Sequence, residues 1–149
     1  MAGFNPLAYQ GLLNRVLTHV VVTDLPQLNV TASFMSKALT SLTFEGDFTR
    51  QEPTATGIVN SPEPYVMGQL VVSILRSQAL ASLWLVQMQL LSILGDVVTY
   101  SDSTVFPAVT LQNCSVMSVD PGPYDGQDPT TKITIKGVLP INAALWAGI

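Results

Sequence analysis

Ionic side chains are scarce in this chain. Charged residues make up 11% of it and hydrophobic residues 48%, whereas an ordinary soluble domain is about 25% charged. Ser, Thr, Asn and Gln supply the polarity instead. The apolar content excludes disorder, since there is ample material to bury, and 149 residues suffice for one core. A single domain over 1–149 is expected.

The six basic residues, Arg15, Lys37, Arg50, Arg76, Lys132 and Lys136, are scattered, and the net charge is −4. No basic patch exists to neutralise phosphates, which excludes tight nucleic-acid binding. The lone cysteine, Cys114, cannot form an intramolecular disulfide or a CxxC motif. The lone histidine, His19, lies in a Val-rich segment and reads as structural, and no GxSxG elbow accompanies it. GxGxxG and Walker motifs are missing too. Asp120, Asp125 and Asp128 share a Gly/Pro loop without the EF-hand spacing. The chain is therefore expected not to be an enzyme and to need no cofactor or metal. Its N-terminal residues lack the charged and apolar regions of a secretory signal, so synthesis in a reducing cytoplasm is expected. The uncharged stretch between Arg76 and Asp96 approaches the length of a bilayer span, but Ser77, Gln78, Ser82, Gln87, Gln89 and Ser92 interrupt it, and no membrane partner is expected.

What remains is largely β pattern. Residues 1–11 read as an arm, Arg15 to Thr23 as a Val-rich strand, and 28–35 as an alternating strand. From Thr40 to Thr49, Leu42, Phe44 and Phe48 line one face and Ser41, Thr43, Glu45, Asp47 and Thr49 the other, giving a strand with an acidic, hydroxyl-rich side. Gly46 marks a bulge or a close approach. Arg50 to Pro64 holds Pro53, Gly57, Pro62 and Pro64 and reads as a long loop with an uncharged tip, of the kind that is usually functional. Tyr65 to Leu75 is the return strand, so the whole forms a long protruding hairpin. Ser77 to Leu94 is the one helix, with Ser77 as N-cap and Gly95 as stop. Its stripe of Leu80, Leu83, Trp84, Met88, Leu91 and Leu94 carries no charge, as a helix buried in a core or covered by another chain would. Val97 to Tyr100, Thr110 to Val119 and Lys132 to Leu139 read as further strands, with Lys132, Thr134 and Lys136 on one solvated face. The segment 140–149 is an apolar tail whose composition points to docking. The fold class expected is α+β, mainly β, with one flanking helix.

Sparse charge, an uncharged helix and a hairpin with an uncharged tip have one common explanation in self-assembly, because obligate interfaces are apolar and depleted in charge. From about Leu28 onward the order strand, long loop, strand, helix, strands resembles the tail tube proteins of bacteriophages and contractile injection machines. The likeness is carried by Leu42-Thr43-Phe44-Glu45-Gly46, by Pro53-Thr54-Ala55-Thr56-Gly57-Ile58-Val59-Asn60-Ser61-Pro62-Glu63-Pro64-Tyr65, by the helix at Ser77–Leu94 and by Gly137 to Trp146.

That resemblance implies a tail-tube-like β-barrel or sandwich that assembles into hexameric rings stacking into a hollow tube, in a virion assembled in a host bacterial cytoplasm. It implies inter-ring contacts through the long loop (Arg50, Glu52, Pro53, Gly57, Ile58, Val59 and Pro62) and a lumen lined by strands. The alternation supplies Ser41, Thr43, Glu45, Asp47, Gln69 and Ser73 for the lumen, where few cations and some negative charge would let DNA pass as a transient passenger. The helix offers Leu83, Trp84, Met88 and Leu91 as an interface. Partners implied are further copies of the chain and the tail sheath, tape measure and baseplate proteins. Two other readings compete: a specialised ring at the baseplate or head–tail junction, and a small β-barrel holding an apolar ligand.

Overall fold

A computed structural model describes residues 17–75, 79–102, 107–122 and 129–146. The chain runs through β1 (Thr18–Val22), two 3-10 turns (Pro26–Leu28 and Ala32–Phe34), β2 (Met35–Glu45), β3 (Thr49–Pro53), β4 (Ile58–Pro62), β5 (Tyr65–Leu75), α1 (Ala79–Leu90), β6 (Ile93–Ser101), β7 (Val109–Asp120), β8 (Thr130–Pro140) and α2 (Ala143–Trp146). The protein is mainly β with few helices, as its composition and alternation lead one to expect. The arm 1–11, the N-cap Ser77, and Asp125 and Asp128 lie outside the described residues.

Six strands form one antiparallel sheet in the order β1-β6-β7-β8-β5-β2, and β3 and β4 form a separate two-stranded ribbon. The large sheet curls into a half-barrel that brings its end strands, β1 and β2, near each other without a ladder between them. Thr18 Oγ1 on β1 donates to Met35 Sδ on β2 at 3.8 Å, and Thr40 Oγ1 donates to the same sulfur at 3.4 Å. Val20 also bridges Val30, just ahead of β2, with both main-chain bonds at 2.8 Å.

Two glycines permit the curl. Gly68 on β5 and Gly137 on β8 are register partners, and both are buried. A Cβ on Gly68 would stand 2.8 Å from Leu111 Cδ2, and one on Gly137 would stand 2.9 Å from Leu111 Cβ and 2.5 Å from Cys114 Sγ. The Leu111 side chain on β7 therefore fills the space that two side chains would take. Glycine at such a point lets the sheet bend sharply and backbone approach closely. Strand β7 adds an irregularity between Gln112 and Ser115, with Asn113 at φ 52, which is a bulge of the kind found at barrel rims.

The inner face carries the core: Val20 and Val22, Leu70, Val72 and Ile74, Leu94 and Val97, Leu111 and Val116, and Ile133 and Ile135 are buried. Helix α1 adds Leu80, Ala81 and Trp84 to the same cluster, with Leu28, Val30 and Met35 from the entry segment.

Several boundaries differ from expectation for identifiable reasons. The segment 28–35 is two 3-10 turns and a bridge, because Asn29 Oδ1 takes the Val22 N–H at 2.9 Å and turns the chain there. Helix α1 ends at Leu90, where Gln87 Nε2 caps the Leu91 carbonyl at 3.2 Å and Val116 N–H takes the Ser92 carbonyl at 2.9 Å. Gly95 is thus no helix stop. It lies within β6 at φ 80, where a Cβ would collide with the Asp24 carboxylate. Leu91 follows the helix, and Leu94 is a buried strand residue.

Candidate functional site

Arg50 to Pro64 is not an irregular loop. Residues Thr49–Pro53 pair with Ile58–Pro62 in strict antiparallel register, from Thr49↔Pro62 to Pro53↔Ile58. Thr54 closes the tip, its N–H and Oγ1 both donating to the Gly57 carbonyl at 2.7 and 3.0 Å. Proline suits a ribbon whose outer edges need no ladder partner, and here Pro53 and Pro62 occupy strand ends.

At about 3.4 Å per residue the two strands, each five residues long, extend roughly 17 Å from the barrel. All of β3 and nearly all of β4 are exposed. One side-chain pair crosses the ribbon, Gln51 Nε2 donating to Asn60 Oδ1 at 3.2 Å, while Arg50 Nη2 meets Glu52 Oε1 at 2.9 Å along β3 itself. Ile58 and Val59 stand beside the tip with 58% and 54% of their surface open. The structure thus gathers Arg50, Glu52, Pro53, Gly57, Ile58, Val59 and Pro62 into one projecting element.

The ribbon's foot is tied down by the tail. Ile141 N–H donates to the Pro64 carbonyl at 3.1 Å. Asn142 Nδ2 donates to the Glu63 and Phe48 carbonyls at 2.8 and 3.2 Å, and Trp146 Nε1 donates to the Pro62 carbonyl at 3.1 Å. Beside this foot an open cleft of about 310 Å³ is lined by Glu45, Asp47, Glu63, Arg50, Tyr65 and Met67, among others. No group of three His, Cys, Asp or Glu side chains able to hold a metal ion occurs among the described residues.

The outer face of the sheet unites residues from four strands. Ser41, Thr43 and Glu45 on β2 stand opposite Val71, Gln69 and Met67 on β5. Gln69 and Ser73 stand opposite Lys136 and Lys132 on β8, which pair with Ser115 and Asp120 on β7. Lys136 Nζ meets Glu45 Oε1 at 3.1 Å, and Asp120 and Lys132 are register partners. Two of the lumen candidates differ from the rest, Asp47 in position and Ser73 in exposure. Asp47 sits in the turn beyond β2, since β2 ends at Glu45 and Gly46 takes φ 86. Ser73 is only 4% exposed, and it lies where the register of β2 on β5 shifts between Met35↔Ile74 and Thr40↔Val72. The face is also charge-balanced rather than acidic. Alternation along one strand tells which residues share a side, but only the order β2-β5-β8-β7 brings Lys136 beside Glu45 and Lys132 beside Asp120.

Helix α1 presents two apolar faces. Trp84 is 0% exposed and belongs to the chain's own core, correcting its place in an interface, and Met88 packs against that core. Leu83 and Leu91 are exposed, and so are Leu85, Val86 and Leu90, which the interface candidates omitted. The signal for them was the absence of charge all round the helix. No helix among the described residues is long and apolar enough to cross a membrane.

His19 stacks on its register partner Tyr100, ring centroids 4.9 Å apart. Cys114 is buried, its Sγ donating to the Leu111 carbonyl at 3.2 Å.

No protein-family model matches the chain, and no curated protein sequence matches it. Among solved structures it is similar to the cryo-EM structure of the anti-feeding prophage cap, the AFP tube terminating cap, at 14% identity over 94% of this chain and 99% of that one, with a TM-score of 0.47.

Proposed function

We propose that this chain is a non-enzymatic, self-assembling structural subunit of a phage-tail-like particle, closing hexameric rings that stack into a tube through which DNA passes. The observation that carries this reading is the β3–β4 ribbon. A two-stranded ribbon is marginal in water by itself, yet this one projects with almost every residue exposed and an apolar pair beside its tip. A neighbouring copy seated against it would supply the missing burial. The uncharged outer side of α1 supports the same reading, because exposed apolar patches of that kind mark contact sites. So does the order strand, ribbon, strand, helix, strands, which resembles tail tube proteins.

If the outer face of β2, β5, β8 and β7 lines the tube, its hydroxyls and amides with paired charges offer phosphates no net attraction. That is the electrostatic condition for a passenger rather than a ligand.

Negative-stain electron microscopy over a protein concentration series tests the proposal. The expected result is rings and tubes from the intact chain, and folded monomers from a variant in which a two-residue turn replaces Thr49–Pro62. Rings that never stack would place the chain at the end of a tube. A monomer at every concentration, unaltered by removal of the ribbon, would overturn the reading in favour of a ligand-holding barrel.

A further inference from the structure

We propose that the segment Ile141–Trp146 is a latch that fixes the angle at which the β3–β4 ribbon leaves the barrel, with Asn142 as its pin. The ribbon joins the barrel through two short irregular connections, residues 46–48 on one arm and Glu63 and Pro64 on the other. Two such connections side by side form a hinge, since an exposed ribbon has no packing of its own to hold a direction. Here the hinge is spanned. Glu63 N–H donates to the Phe48 carbonyl at 3.0 Å, joining the arms to each other. Asn142 then donates from one amide nitrogen to a carbonyl on each arm, Phe48 and Glu63, while Ile141 and Trp146 hold Pro64 and Pro62.

Every acceptor in this set is a main-chain carbonyl, so the latch reads where the ribbon's backbone is and not which side chains it carries. The geometry depends on Asn142 itself. Its φ of 53 is left-handed, a conformation that asparagine tolerates better than most residues. Its own carbonyl accepts the Leu145 and Trp146 N–H groups, both at 2.9 Å, and this turn swings Trp146 back over Pro62. All four residues of α2 are exposed. The segment is therefore held by hydrogen bonds to the hinge and by little burial, which is the property of a contact that can open. Closed, it presents the ribbon in one direction; open, it leaves the ribbon free to swing.

The inference concerns the isolated chain and does not rest on the assembly reading, so it is tested on the monomer. Amide hydrogen exchange by NMR on the full chain at dilute concentration compares the wild type with Asn142→Asp and Trp146→Phe. The first keeps size and backbone tolerance but turns the donor into an acceptor facing two carbonyls; the second keeps the ring and removes Nε1. Exchange at the Glu63 and Ile141 amides is expected to quicken about tenfold or more in Asn142→Asp, as loss of charge-neutral hydrogen bonds with a repulsion left behind implies, and by a smaller factor in Trp146→Phe. Protection at Leu70 and Ile135 in the core should hold. Unchanged Glu63 and Ile141 exchange in either variant with an intact core overturns the latch. Should Asn142→Asp lose core protection, the same readout in Trp146→Phe decides.

Discussion

Lys136 reaches diagonally across β5 to Glu45, its Nζ 3.1 Å from Oε1 and 3.3 Å from Oε2. The pair spans three strands, β2, β5 and β8, and it cancels the charge that makes the β2 sequence look acidic. Both side chains are part-exposed, 32% for Lys136 and 45% for Glu45, so solvent screens the attraction. Glu45→Gln should accordingly change unfolding free energy by less than about 1 kcal/mol, measured by urea denaturation of the monomer. A larger loss would mean that the pair organises the face rather than merely neutralising it.

Gly137→Ala should be among the more damaging single-methyl additions in the chain. The new Cβ meets Cys114 Sγ, Leu111 Cβ and the Gln112 carbonyl at 2.5, 2.9 and 3.1 Å, two of them strand-borne atoms that cannot swing aside. Overpacking of this kind costs about 1–3 kcal/mol. Gly57→Ala, with nothing within 4 Å of its Cβ, serves as the control and should leave the urea midpoint unchanged or slightly raised.

Cys114 sets an alkaline limit. Burial pushes its thiol up from an ordinary 9.0 to about 11; the Asp96 charge adds to the rise, and a backbone hydrogen bond from Val97 opposes it. The folded state thus holds the neutral thiol more firmly than the unfolded state does. Below about pH 9 the thiol is neutral in both and contributes no pH dependence; between pH 9 and 11 only the unfolded chain ionises, so stability falls as pH rises. The difference in urea midpoint between wild type and Cys114→Ala should be flat below pH 9 and shrink above it. Iodoacetamide should leave the native thiol unmodified at pH 8, because the thiolate is the reactive form.

The two sides of α1 should answer differently to substitution. Leu90 is 77% exposed, so Leu90→Lys should alter monomer stability by no more than about 0.5 kcal/mol while raising the concentration at which assembly begins. Trp84→Ala should cost about 3–5 kcal/mol, read by thermal or urea unfolding. An unaltered assembly threshold in Leu90→Lys would remove this side of the helix from the proposed subunit interface.

Strand β5 was legible to the residue, Tyr65–Leu75, because its inner positions alternate strictly and both neighbours hold it in register. The ribbon was not, since Pro53 and Pro62 act as breakers in any reading of local pattern. They are tolerated here only because the ribbon's edges are free, a fact of topology. Trp84 and Leu83 are adjacent on one apolar helix, and composition cannot say which of them the sheet will cover. Lys132 and Lys136 were visible on a solvated side of their strand, yet the meeting of Lys136 with Glu45 depends on β8 pairing with β5, a contact between distant parts of the chain. Asn142 carried no local signal, because what it grips is main chain.

The seam where β1 meets β2 gives the barrel a soft diameter. Around the rest of its circumference the wall is stitched by ladders of N–H to carbonyl bonds, which resist stretching. At this meridian the hydrogen bonds among the described residues are the Val20–Val30 bridge and one threonine hydroxyl, Thr18, on the Met35 sulfur, an acceptor that is weak and polarizable. A load on the shell would therefore be taken up there first, by a slight widening or narrowing, while the stitched wall keeps its register.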